Sequence, residues 1–400
     1  MIKNEDNSIE ADQPLTSSPT LAASRIDSLD VLRGIAVLMI FVVNVKMMAN
    51  GFNHYVNRSL WEGEVSQWIT SLQSWFVHGK FVTIFTALFG AGLALLLART
   101  KPVPVRTVLR RLFWLVLFGA LHLILLREGD ILIWYALVGF VAVPFVRLGG
   151  VTLILVGLGL QMTTWAYSEV FPVSEENVPI LWQSATEAHH TVSEIMLGTV
   201  GDQISARIDA APYYMWDLFV VGGVWLSTLS VILIGMGLLK TGFLSGKLPL
   251  KSYAVWSGVG LAIAAARYVV PVVIDEDSDW GGFILIVAVY AHYLGGALAW
   301  SGLIVAAVRS GWKATAFAAV GRTAFTVYIM QSVIGLLLFS SLGLGLFGQL
   351  SLGTLMLITL AVWLLFLTAA PLWLKHFRFG PLEWLWRSLT YGQLQPMPRT

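Results

Sequence analysis

Apolar runs of roughly 20 residues, each long enough to cross the hydrocarbon core of a bilayer, recur along the chain between short polar connections. They centre on residues 33–49, 77–98, 108–126, 131–147, 150–167, 214–239, 252–274, 282–308, 316–340 and 351–374. The pattern predicts an all-α polytopic membrane protein, a bundle of about ten transmembrane helices. Between the fourth and fifth runs stands only "RLGG", which suits a tight turn.

The connections test this count. Arg99, Lys101, Arg106, Arg110 and Arg111 lie between the second and third runs, and Arg147 lies two connections later. Lys240, Lys247 and Lys251, then Arg309, Lys313 and Arg322, then Lys375, Arg378 and Arg387 continue the series. Every second connection is thus basic, while the alternate ones are mixed or acidic, above all "DEDSDW" at 275–280. By the positive-inside rule both termini are expected in the cytoplasm. Residues 1–24 are polar, mixed in charge and without an apolar core, so they read as a disordered cytoplasmic tail and not as a signal peptide. Residues 168–212 are too polar to span and are expected as an outer loop carrying an amphipathic surface helix. That loop divides an N-terminal five-helix half, 25–167, from a C-terminal half, 213–400, and the halves share no evident repeat.

Composition narrows the chemistry. The 400 residues are 57% hydrophobic and 12% charged, about half the charge of a soluble domain. The 17 Trp and 11 Tyr suit membrane–water interfaces. Absence of cysteine excludes disulfides, thiolate nucleophiles and cysteine-ligated metal, and a net charge of +2 gives no ground for a nucleic-acid partner. No HExxH, GxxxxGK[ST] or GxSxG pattern is present, so neither a metal site nor a soluble-type hydrolase or ATPase is expected.

Polar groups inside the apolar runs are costly and mark candidate chemistry. In "LDVLRGIAVLMIFVVNVKMMANGFNH", Asp30, Arg33 and Asn44 fall within a sector of about 60° on a helix, with Asp30 and Asn44 about 21 Å apart along its axis. Lys46 lies nearly opposite, close enough to the outer end to snorkel. The stripe either packs against a neighbouring helix, with Asp30 and Arg33 paired at three-residue spacing, or lines a solvated passage. In the third run Arg111 and His122 share a face, and His122 approaches the outer end where Asp130 opens the fourth run. Such a histidine is either a packing hydrogen bond or, with the acid beside it, a reactive group. His78, His189, His190, His292 and His376 sit in less suggestive surroundings. Near the C-terminus Gly380 and Pro381 are expected to break the last span, with "LEWLWRSL" forming a short interfacial helix.

Five ordered motifs, "RIDSLDVLRGIAVLMIFVVNV", "GKFVTIFTALFGAGLALL", "GDILIWYALVGF", "GRTAFTVYIMQSVIG" and "GPLEWLWRSLTYGQLQPM", cover the chain from Arg25 to Met397. They resemble the YeiB-like family of bacterial inner-membrane proteins, whose C-terminal domain has no assigned function. The opening motif also resembles the transmembrane acyltransferase group that includes heparan-alpha-glucosaminide N-acetyltransferase. That resemblance implies a multi-pass inner-membrane enzyme moving an acetyl or other acyl group from cytosolic acyl-CoA to an acceptor at the outer side. It places the family's functional histidine at His54, ten residues after Asn44. Acyltransferase family three begins with a similar helix but carries a histidine where this chain has Asn44.

On this reading His54, Asn44, His122 and Asp130 are the candidate catalytic residues. Asp30, Arg33, Arg106, Arg110 and Arg111 are candidates for the CoA phosphates, although the three arginines of the connection also serve as plain topology signals. The expected partners are the lipid bilayer, an acyl acceptor and a second copy of the chain as a homodimer. A transporter of a small solute or lipid precursor would use the same stripe. A non-catalytic assembly protein would instead use glycine-rich segments such as "FGAGLALL" for close packing.

Overall fold

The computed structural model describes residues 27–56, 61–97, 103–170, 181, 186–219, 224–274 and 281–399, so the tail at 1–24 lies outside the described residues. They fold into helices, with no strand among them and one isolated bridge between Phe377 and Pro398. In chain order these are α1 (Asp27–Val56), α2 (Glu64–Phe76), α3 (Lys80–Leu97), α4 (Val105–Leu125), α5 (Leu132–Ala142), α6 (Gly150–Val170), α7 (Thr186–Leu197) and α8 (Val200–Phe219). There follow α9 (Val224–Lys240), α10 (Leu250–Val273), α11 (Gly281–Arg309), α12 (Thr315–Arg322), α13 (Ala324–Phe339), α14 (Leu352–His376) and α15 (Pro381–Tyr391).

Each of the ten apolar runs contains a helix. Six helical segments are long and apolar enough to cross a membrane: Asp27–Phe52, Glu64–Leu97, Val105–Leu125, Leu250–Val273, Gly281–Arg309 and Leu352–His376. A seventh is the pair α12–α13, bent by 82° at Thr323, and Leu132–Arg147, Gly150–Thr164 and Val224–Lys240 are shorter apolar helices. The sixth run starts later than expected. Residues 214–219 belong to α8, and the apolar helix begins at Val224.

The distribution of side chains is that of a protein solvated by lipid. On α4, Phe113, Leu117, Leu121 and Leu125 are between 43% and 58% exposed, a stripe at four-residue spacing, while Leu112, Leu115, Gly119 and His122 face inward. Conversely Asp30, Lys46, Lys80, Arg127, Glu128, Asp130 and Arg207 are buried. With apolar groups outside, such charged groups depend on partners inside the bundle. Lys46 is one correction: it is 4% exposed and buried in the bundle, whereas a snorkelling lysine would reach outward.

The two sequence halves interleave. α1 packs on α3 and also on α12, α13 and α14, and α3 packs on α9. Gly34 of α1 and Gly321 of α12 allow backbone-to-backbone contact, since a Cβ on Gly34 would collide with the Phe317 carbonyl and one on Gly321 with that of Asp30. Gly90, in "FGAGLALL", meets the backbone of Ile232 in α9 in the same way. α7 and α8 do not lie apart from the bundle: α7 packs on α1 and α8 on α4. Arg207 of α8, 2% exposed, faces Glu128 at 3.9 Å. Burial pulls its guanidinium below the usual value, an effect Glu128 opposes.

The helix predicted after Gly380 is α15. It packs on α4 and α13, and its Glu383 carboxylate accepts from the backbone N–H groups of Phe325 (2.7 Å) and Thr326 (3.0 Å) and from Thr326 Oγ1 (2.6 Å). The carboxylate thereby caps the N-terminus of α13 just past the bend, satisfying donors that have no partner within the helix.

Candidate functional site

α4 ends at Leu125, and the turn "LREGD" returns the chain into α5. His122, one turn before that end, and Asp130, at its far side, are each 2% exposed. His122 Nδ1 lies 2.8 Å from Asp130 Oδ2, and His122 Nε2 lies 2.8 Å from Ser332 Oγ on α13. One imidazole thus bridges a carboxylate and a hydroxyl from three different segments. The Nδ1–Oδ2 approach is short but not linear, so neither atom has a formed hydrogen bond; such alignments commonly tighten when substrate binds.

Neighbouring groups hold the carboxylate. Asp130 Oδ1 accepts from the backbone N–H of Ile133 at 2.7 Å, capping the start of α5. The Tyr214 hydroxyl of α8 donates to the Asp130 carbonyl. Gly119 is the residue that makes room, because a Cβ there would stand 2.8 Å from Asp130 Oδ1. Tyr328, one turn before Ser332, stacks at an angle on the His122 ring, with centroids 5.0 Å apart, and its hydroxyl accepts from Ile131 N–H at 3.4 Å.

Beside this relay lies a cavity of about 420 Å³. Asn44 and Met47 of α1, Arg127, Gly129 and Asp130 of the turn, Trp134 and Tyr135 of α5, and Tyr214 of α8 line it. His78, Thr83, Gln161, Ser227, Tyr290 and Tyr293 also face it. A second space of about 20 Å³, room for one water molecule, adjoins Ser332, Arg127, Glu128 and Met48.

The predicted site residues therefore divide. Asn44 and Asp130 share the cavity, and His122 stands behind Asp130. His54 continues α1 beyond a kink at Gly51, but its side chain lies outside the described residues. Asp30 and Arg33 pair as their spacing predicts, Arg33 Nη1 donating to Asp30 Oδ1 at 3.0 Å. They lie at the other end of α1, whose first residue on the cavity is Met39, about 14 Å from Asp30 along the helix axis. The Asp30–Arg33 pair thus stands apart from the cavity that Asn44 lines. Arg106 and Arg110 are exposed at that distant end, and Arg110 lies against Gly392. Arg111 is engaged with α15: its guanidinium stacks 3.5 Å over the Trp386 ring, and its carbonyl accepts from Trp386 Nε1 at 2.9 Å.

Three groups of this site were not singled out by the sequence. Ser332 sits beside Gln331 in an otherwise apolar stretch, Arg127 in a connection resembling any interfacial turn, and Tyr214 in a segment assigned to a span. The signal available for Ser332 was the polar pair "QS" inside a membrane run. His292, ranked low, is instead a buried partner of Lys80 (Nζ to Nε2, 2.6 Å) and of the Ala264 carbonyl (2.8 Å).

Residues 238–393 match the family described as "Protein of unknown function (DUF418)". The chain is 31% identical over 394 residues to "Uncharacterized protein YeiB" of Escherichia coli (strain K12), covering 92% of this chain and 97% of that protein. The chain belongs to the YeiB-like family. "Uncharacterized protein YxaH" of Bacillus subtilis (strain 168) is similar in the same way, 30% identical over 418 residues, with 95% and 98% of the two chains covered. In this YeiB-like protein the segment matched by the family description carries Ser332 and Glu383, whereas Asn44, His122 and Asp130 precede it. The bundle joins the two parts through the His122–Ser332 contact.

Proposed function

We propose that this YeiB-like protein is a membrane acyltransferase with His122 as its base, moving an acyl group from cytosolic acyl-CoA to an acceptor at the outer side of the bacterial inner membrane. The observation that carries the reading is the buried Asp130–His122–Ser332 relay, whose Asp130 lines the cavity shared with Asn44 and whose Ser332 borders the smaller space beside Arg127. Asp130 orients the imidazole, and Nε2 is placed to take the Ser332 proton. Ser332 Oγ then attacks the thioester carbonyl; the carbon–sulfur bond breaks, and the proton passes from Nε2 to the departing thiolate. In the second half an acceptor hydroxyl or amine gives its proton to Nε2 and attacks the acyl-serine, whose ester oxygen recovers the proton. Asn44 is an amide on the larger cavity beside Asp130, suited to hold the acceptor.

The basic connections support placing the termini and the Arg33–Arg110 end in the cytoplasm. Arg106 and Arg110, exposed there, are the groups available to CoA phosphates, because Arg111 is committed to Trp386. The break between α12 and α13 gives a transporter reading some support, since broken helices present termini to substrates. Here, however, the chain's own Glu383 occupies the α13 N-terminus. Purified protein incubated with radiolabelled acetyl-CoA and an extract of envelope metabolites tests the proposal. Wild type should transfer label to an extract component and His122→Ala should not; equal transfer by both would remove His122 from the chemistry.

A further inference from the structure

Arg127 stands at the junction of the two cavities and is 7% exposed. Its Nε and Nη1 have no hydrogen-bond partner, and Nη2 meets only the Met47 sulfur, at 3.8 Å, a weak acceptor. Its sequence neighbours are otherwise engaged, Glu128 with Arg207 at 3.9 Å and Asp130 with His122 at 2.8 Å. Among the described residues no carboxylate pairs with it. The guanidinium folds over Gly129, where a Cβ would stand 2.6 Å from Nη2. A buried guanidinium stays charged and is costly without an anion. The rest of the cavity is neutral except for Asp130 and the titratable His78, being built of aromatic rings, hydroxyls, amides and aliphatic groups.

We infer that Arg127 binds an oxyanion, a carboxylate or a phosphate, on a small acceptor whose neutral remainder lies against Trp134, Tyr135 and Tyr290. This rests on reading the cavity as the acceptor's place. It predicts an anionic acceptor, bound through the guanidinium N–H groups that lack a partner among the described residues, with its neutral part directed toward Asn44 and the relay.

Binding can be read without any acyl transfer. The full-length protein in detergent is melted with increasing potassium acetate or inorganic phosphate, against potassium chloride at matched ionic strength. One of the two anions should raise the wild-type melting temperature saturably, as a ligand of the native state does, and the responding anion tells carboxylate from phosphate. The rise should vanish in Arg127→Gln and weaken in Arg127→Lys. In chloride alone Arg127→Gln should melt no lower than wild type, because a charge waiting for a ligand is not needed by the empty fold. No saturable rise in wild type with either anion, an equal rise in Arg127→Gln, or failure of that variant to fold would each overturn the inference. Acyl transfer lost while the anion effect stands would instead count against the function proposed above.

Discussion

At the residue scale the decisive group is His122, because its buried ring stands between the Asp130 carboxylate and the Ser332 hydroxyl. Removing it should do two separable things. His122→Ala leaves Asp130 and Ser332 without their shared partner, which costs about 1–3 kcal/mol of stability, and loss of a general base lowers transfer by about 10²–10⁴-fold. Ser332→Ala removes one hydroxyl and should shift the melting temperature little while abolishing transfer. A Ser332→Ala enzyme of wild-type rate would show the hydroxyl to be a packing contact. His122 and Asp130 were legible in the sequence because a titratable ring and an acid stand out in apolar runs. Ser332 was not, since small hydroxyl residues commonly bond their own helix backbone in such runs. Nor was Arg127, because burial of a connection is a tertiary fact. His54 was named by resemblance alone, and its side chain lies outside the described residues.

At the scale of elements the fold depends on two junctions. Glu383 caps α13 across the bend from α15. Replacing it with Ala should cost about 1–2 kcal/mol, the range of a lost cap, measured as a lower melting temperature. Burial pushes its carboxyl above the ordinary 4.5, against the pull of its hydrogen bonds. The sign follows by linkage: the contribution is present below 4.5 and is lost as pH rises through the raised value. The melting-temperature difference between wild type and Glu383→Gln should therefore fall as pH increases over that window, and a difference that grows would contradict the assignment. The second junction is α1 on α12, where backbones touch at Gly34 and Gly321. Gly34→Leu should prevent this approach and cost at least about 1–3 kcal/mol, with loss of folded yield as the readout. The sequence predicted a short helix after Gly380 from its Gly–Pro break. It did not reveal that Glu383 serves another helix, because that contact joins residues 58 apart.

At the scale of the whole molecule the apolar runs were enough to recover an all-α membrane bundle, since length and hydropathy are local properties. The placement of α8 was not recoverable, because it depends on the buried Arg207–Glu128 and Tyr214–Asp130 contacts. The alternation of basic connections predicts a topology, and the absence of native cysteine makes it simple to test. A cysteine placed at position 190 should react with an impermeant reagent from outside the cell and one at position 105 should not; the reverse would invert the bundle. The claim that joins all three scales is that acyl groups pass through the His122 relay. Its most direct test is a single turnover of purified protein with radiolabelled acetyl-CoA and no acceptor, followed by denaturation and mapping of the label. Label should be bound covalently to Ser332 in wild type and in Arg127→Gln, with none in His122→Ala or Ser332→Ala. Label that appears equally in all four proteins, or in none, would contradict it.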